Sequence, residues 1–259
     1  MDLGLRGRKA IVCASSRGLG RACALALARE GVAVVVNGRD PACLDATAAA
    51  IRDETGVEVI AVAADLGDPA GRDRLLSACP EPDILVTNNG GPAPGRFEDW
   101  DHDAWIAALE QNLLAPVLLI RAVIGGMRAR HFGRIVNVTS AMVKAPHALM
   151  GLSTAARSAL TAVCKGLSRE VARDNVTINN LLPERIDTDR QRFMAELQAA
   201  ARGVSLDEAY RDIAASIAAQ RLGTPEEFGA ACAYLCSAHA GFVSGQNLQI
   251  DGGSYPGLV

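Results

Sequence analysis

Seven short apolar runs, rich in β-branched residues and lacking regular polar alternation, recur along this chain at 10–13, 32–36, 57–61, 84–87, 135–139, 177–182 and 247–250. Strands of this composition are buried on both faces, the condition of a parallel sheet covered by helices. Ala- and Leu-rich stretches of helical pattern fill the intervals at 20–30, 41–55, 69–78, 103–130, 153–174 and 225–237. The last of these has a clear start signal. Thr224 can cap, Pro225 suits the first turn, and Glu227 completes a capping box. Alternation of this kind predicts an α/β fold, a doubly wound parallel sheet of about seven strands with helices on both faces. Ligands on such sheets lie at the carboxyl ends of the strands, where strand order reverses. One segment, 187–220, breaks the rhythm. It is Ala- and charge-rich, helical in pattern, and reads either as a lid-like insertion over a site or as an extra packing helix.

The 259 residues, 49% of them hydrophobic, carry no linker or compositional break, so the chain reads as one domain over 1–259. A net charge of -3 argues against nucleic-acid binding, which brings a basic surplus. The longest strongly apolar stretch, 113–127, is interrupted by Arg121. It is shorter than the ~18–20 residues of a bilayer span, so no membrane partner is expected. The first apolar run ends at Cys13, too early for the core of a signal peptide. Seven irregularly spaced cysteines fit a reduced, cytoplasmic protein better than a disulfide framework. Cys232 and Cys236 fall on one helix face without a further His or Cys partner, so no metal site is expected.

The first run leads into Cys13-Ala14-Ser15-Ser16-Arg17-Gly18-Leu19-Gly20. Glycines between a strand and a helix let backbone approach a pyrophosphate, and the helix start supplies free N–H groups and a positive dipole end. An ordinary tight turn is the alternative. The second run ends Val36-Asn37-Gly38-Arg39. A NAD site needs a carboxylate here for the ribose hydroxyls, and none is present. Arg39 and Arg17 can instead pair with a 2′-phosphate.

With these residues, and with Asp65-Leu66, Thr87-Asn88-Asn89-Gly90, the segment from Arg221 to Glu227, Ser244-Gly245-Gln246 and Asp251-Gly252-Gly253, the chain resembles the short-chain dehydrogenase/reductase family over about residues 5–253. It is most similar there to 3-oxoacyl-[acyl-carrier-protein] reductase-like members. Ala14, Gly38, Thr87 and Asn89 depart from the family pattern. The resemblance implies a Rossmann-type sheet, NADP(H) as cofactor, and a cofactor site drawn from Ala14, Ser16, Arg17, Gly18, Leu19, Gly20, Arg39, Asp65, Leu66, Asn88, Gly90, Arg157, Pro183, Ile186 and Thr188. It also implies a homotetramer built on the helices at 103–130 and 153–174, and a small-molecule or acyl-thioester substrate.

The family's chemistry uses Asn, Ser, Tyr and Lys. Asn112 matches the first and Ser140 the second. Where Tyr-x-x-x-Lys is expected the chain reads Ser153-Thr154-Ala155-Ala156-Arg157. A serine hydroxyl is far too weak an acid to replace a tuned phenol. An arginine does not deprotonate, yet can still bridge ribose hydroxyls. The tyrosines are Tyr210, Tyr234 and Tyr255, all distant along the chain. Two other groups can supply a proton: His147, in the loop between Ser140 and Ser153 with Lys144 nearby, and Glu184, which follows Pro183 where the family has glycine. The expected activity is NADP(H)-dependent carbonyl/hydroxyl oxidoreduction with a proton donor other than the usual tyrosine. Elimination, dehydration or isomerisation on the same frame, or an inactive sensor or subunit, are the alternatives.

Overall fold

The computed structural model describes residues 1–258. The sheet comprises β1 (Lys9–Val12), β2 (Ala33–Gly38), β3 (Val59–Ala63), β4 (Ile84–Thr87), β5 (Gly133–Val138), β6 (Val176–Pro183) and β7 (Asn247–Ile250). All pairings are parallel and the spatial order is β3-β2-β1-β4-β5-β6-β7. The winding reverses between β1 and β4, and the crevice at their carboxyl ends is the switch point.

The strands match the apolar runs to within two residues because each alternate side chain finds its own core. Val12, Val34, Val36, Val86 and Val136 pack on one face against α1 (Gly18–Arg29), α2 (Pro41–Thr55) and α9 (Pro225–Cys236). Ile11, Val35, Leu85, Ile135 and Ile178 pack on the other against α3 (Pro69–Ala78), α5 (Ala115–Ala129) and α6 (Gly151–Val171). The capping box of α9 forms with both of its bonds, Glu227 N to Thr224 Oγ1 and Thr224 N to a Glu227 carboxylate oxygen.

Two expectations change in detail. The helix read at 103–130 is α4 (His102–Leu109) and α5, joined by a π turn at Glu110–Leu114. Together they form a run, His102–Ala129, long and apolar enough by length and composition to cross a membrane. That is longer than the apolar stretch read from sequence, yet Ala115, Leu119, Ile120, Val123 and Met127 are packed against the sheet. The segment 187–220 holds two helices, α7 (Asp189–Arg202) and α8 (Leu206–Ala215). Gly203, left-handed at φ 67, ends the first, and Ser205 Oγ caps the second by accepting from Glu208 N.

A polar ladder crosses β4–β7 beneath the carboxyl edge. Thr87, Asn137, Asn180 and Asn247 are register partners. Thr87 Oγ1 donates to Asn137 Oδ1 at 2.7 Å, Asn137 Nδ2 to Asn180 Oδ1 at 2.8 Å, and Asn180 Nδ2 to Asn247 Oδ1 at 2.7 Å. Each buried amide is satisfied by its neighbour, which ties this half of the sheet together.

Candidate functional site

At the β1 end of the switch point the chain turns through Ala14, whose φ of 44 is left-handed. Its N–H donates to Asn37 Oδ1, and its carbonyl accepts from Asn88 Nδ2 at 3.2 Å. A Cβ on Gly20 would lie 2.2 Å from that carbonyl oxygen, so the close approach of α1 to the turn requires glycine. Ser15 is wholly structural: its hydroxyl donates to Val12 O and accepts from Asn37 N, stitching β1 to β2. Helix α1 then begins at Gly18 with no side-chain cap at Arg17 and no acid in its first turn. Its open N–H groups and dipole face the crevice, the condition for holding a pyrophosphate.

At the end of β2, a Cβ on Gly38 would meet Ser16 Cβ and Oγ at 2.9 Å. An acid cannot be added there without moving Ser16. Arg39 is exposed, and among the described residues it has no ion-pair partner. Arg17 reaches Asp189 at 3.8 Å in a solvent-exposed pair, an interaction worth little. Asp65 Oδ1 accepts from Gly67 N and Leu66 is buried beside it. Gly90 N donates to Asn89 Oδ1. Leu19 packs at the margin of the core. On the opposite wall, Ile186 is buried, and Thr188 caps α7 and lies 3.8 Å from where a Gly18 Cβ would be. Pro183 pairs with Ile250 at the end of β6.

At the β4/β5 end, Ser140 follows β5 and its Oγ accepts from Met142 N. The π turn buries Asn112, whose Nδ2 donates to Ala108 O while Oδ1 is buried without a partner. Gln111 O, in the same turn, accepts from Asn89 Nδ2. Ser153 and Arg157, one turn apart on α6, face inward at 4% and 7% exposure. Arg157 Nε donates to Ser153 Oγ at 3.2 Å, and its terminal nitrogens donate to the carbonyls of Val138, Thr139 and Asn89. Burial, then the nearby Arg190 charge, pulls the guanidinium pKa down to about 10, so it is still a cation at neutral pH.

The two alternative proton sources differ. His147 is exposed, and its Nδ1 is occupied as the cap of the short 3₁₀ turn Ala148–Met150, accepting from Leu149 N. Glu184 is half-buried at the end of β6, its N–H on Ile250 O. Burial raises its carboxyl above the usual range; Arg185 opposes this and Asp251 adds to it. Sequence distance concealed one neighbour. Tyr255, in the C-terminal tail, lies with its ring 5.4 Å from Lys144 Nζ, beside the Ser140–His147 loop. Arg190, in the first turn of α7, was also missed. A separate open depression of about 430 Å³, lined by Lys144, Ser158, Thr161, Lys165 and Asn247 among others, includes none of the matched tetrad positions.

A parallel sheet whose switch point meets a glycine-lined, uncapped helix start defines a Rossmann-type α/β protein. The family described as enoyl-(acyl carrier protein) reductase matches residues 13–255. The chain belongs to the short-chain dehydrogenase/reductase family. It is 31% identical over 252 residues to the NADPH-dependent reductase BacG of Bacillus subtilis (strain 168), covering 95% of this chain and 97% of that one. Against the 3-oxoacyl-[acyl-carrier-protein] reductase FabG of Vibrio cholerae identity is 31% over 257 residues, covering 98% and 99%. Among solved structures, the L-sorbose reductase of Gluconobacter frateurii, complexed with NADPH and L-sorbose, matches with a TM-score of 0.94 at 29% identity, covering 100% of both chains.

Proposed function

We propose that this protein is an NADP(H)-dependent oxidoreductase that acts on a carbonyl/hydroxyl substrate, in the manner of the 3-oxoacyl reductases, with a proton donor other than the usual tyrosine. The observation that carries the reading is one continuous edge. It runs from the uncapped start of α1, across Asn88 bonded to the Ala14 turn, to Arg157 and Ser140 at the end of β5. The cofactor fits this edge. The amides of Gly18, Leu19 and Gly20 would hold the pyrophosphate, and Ala14, Asn88, Gly90, Pro183, Ile186 and Thr188 would complete the cofactor site. Asp65 and Leu66 border the adenine. Ser16, Arg17 and Arg39 would hold the 2′-phosphate, because Gly38 supplies no carboxylate and one could be added only by moving Ser16. NADPH, when bound, supplies the hydride.

The remaining work falls to the chain's own side chains. Ser140 donates a hydrogen bond to the substrate oxygen. Arg157 would help to hold the cofactor's ribose and, as a fixed cation, stabilises the negative charge that develops on the substrate oxygen. The buried, unpartnered Oδ1 of Asn112 holds a water. Ser153 accepts from Arg157 Nε and, as an alcohol, is too weak an acid to give the proton. Of the two alternatives, Glu184 is favoured over His147: it is half-buried at the end of β6, where burial raises its carboxyl, while His147 faces solvent with Nδ1 occupied as a cap. Helices α7 and α8 act as the lid. The chain works as a homotetramer, for which the exposed Ile106, Leu114 and Val163 on α4, the π turn and α6 provide an apolar contact. Its seven free thiols suit the cytoplasm.

The test is a titration of NADPH and NADH followed by NADPH consumption with ketones and a 3-oxoacyl thioester. NADPH binds more tightly and is consumed slowly at neutral pH. Absence of binding to either nucleotide overturns the proposal.

A further inference from the structure

Arg157 is a buried cation whose partners are all neutral: three carbonyls and a hydroxyl. A second guanidinium sits on the same short loop. Arg190 Nη2 donates to Pro92 O at 2.9 Å, three residues beyond the Asn89 carbonyl that Arg157 engages. Arg190 also lies 5.6 Å from the Phe193 ring centroid. The neighbouring arginines Arg17 and Arg185 have carboxylates within 4.0 Å, whereas Arg157 and Arg190 have none among the described residues. Two like charges thus share one loop, Arg157 buried and Arg190 exposed, neither with a carboxylate, and an anion at the exposed guanidinium would also compensate the buried one. The pyrophosphate cradle at the start of α1 is served by its own amides. The arginine pair meets on the loop after β4, and Arg157 also bonds the residue preceding Ser140, while Asp189, just before Arg190, reaches Arg17 at the start of α1. In the reading proposed above, Ser140 on this edge bonds the substrate oxygen.

We infer that Arg190 receives a carboxylate of the substrate, with the buried Arg157 behind it, so that the carbonyl compound this protein acts on is an oxo-acid. The inference rests on the oxidoreductase reading above. In it, Arg190 exchanges the Pro92 carbonyl for the carboxylate as α7 closes, and a guanidinium matches that ligand in bidentate geometry. Arg157, behind it, is the fixed positive field that keeps the carboxylate end of the substrate oriented.

The experiment uses the full chain loaded with NADP⁺, which holds no hydride to transfer, so binding is read whether or not the enzyme reduces its ligand. Straight-chain 2-oxo and 3-oxo acids of four to eight carbons, and their methyl esters, are titrated by calorimetry. At least one acid binds ~10–100-fold more tightly than its ester, the worth of a charge-assisted pair. Arg190→Ala removes that preference and Arg190→Lys keeps part of it. Equal binding of acids and esters throughout the series, no binding by either set, or an Arg190→Ala variant that retains the preference would each overturn the inference. So would a variant that loses NADP⁺ affinity ~10-fold while keeping the preference, because the pair would then serve the cofactor. Failure of NADP⁺ itself to bind the wild type is a separate result and counts against the oxidoreductase reading.

Discussion

The two halves of the switch point are built differently. On the β1/β2 side the site is backbone: uncapped amides of α1, a turn through Ala14, and two glycines whose hydrogens are the only atoms that fit. On the β4/β5 side it is side chain: Asn112 in a π turn, Ser140, and an arginine held by three carbonyls. A backbone site tolerates almost no change in the residues that shape it. A side-chain site can change its chemistry by exchanging two residues on one helix, with the sheet untouched. In the function proposed above, the first half holds the cofactor, and the second, with Ser153 and Arg157 where Tyr and Lys are expected, is where the chemistry differs.

The sharpest way to break the cofactor half is Gly20→Val. The added carbons meet the Ala14 carbonyl in a place where neither backbone can retreat. We expect a loss of ~3 kcal/mol or more in urea denaturation and NADPH affinity weakened at least ~100-fold by fluorescence titration. Arg39→Ala is milder and probes the same half from its exposed rim. NADPH affinity falls ~10-fold, as for one lost charge-assisted contact, and NADH affinity is unchanged. Stronger binding of NADH by the wild type contradicts the account.

Ala14→Gly sharpens the comparison in the opposite direction. A left-handed alanine costs ~1 kcal/mol, so the glycine variant is more stable by about that amount in the same assay. On the substrate side the smallest effect is pH-dependent. Burial lifts the Glu184 carboxyl above its ordinary 4.5. The folded protein therefore keeps a proton that the unfolded chain has released, and stability falls as pH rises from about 4.5 through the raised value. Glu184→Gln removes that term. Its melting temperature exceeds the wild type's at pH 7, and the gap closes below the unfolded carboxylate pKa.

The backbone half was legible in the sequence, because doubly buried strands are apolar throughout and glycine positions report their own crowding. Asn112, Ser140, Ser153 and Arg157 were legible only as positions in a pattern. What their side chains touch depends on strands far away in the chain. The π turn was hidden because Glu110–Leu114 continues the helical pattern on both sides. The division of 187–220 had a signal, Gly203 followed by Ser205, a helix stop and start that the Ala-rich pattern obscured. Arg190 carried no signal. Only the fold brings it to the loop where Arg157 already stands. Tyr255 was set aside on chain distance, yet the tail brings it beside Lys144.

The central claim is that the reductase frame is intact and its usual acid is not. The most direct measurement replaces the pair at once, Ser153→Tyr with Arg157→Lys, and follows NADPH oxidation with simple ketones, a 3-oxoacyl thioester and an oxo-acid. General acid catalysis is worth ~10²–10⁴-fold, so we expect turnover of the neutral ketones to rise by ~100-fold or more with NADPH affinity maintained. A wild type that already reduces those ketones at an ordinary ~10 s⁻¹, or a folded, NADPH-binding double variant that gains nothing, would contradict it.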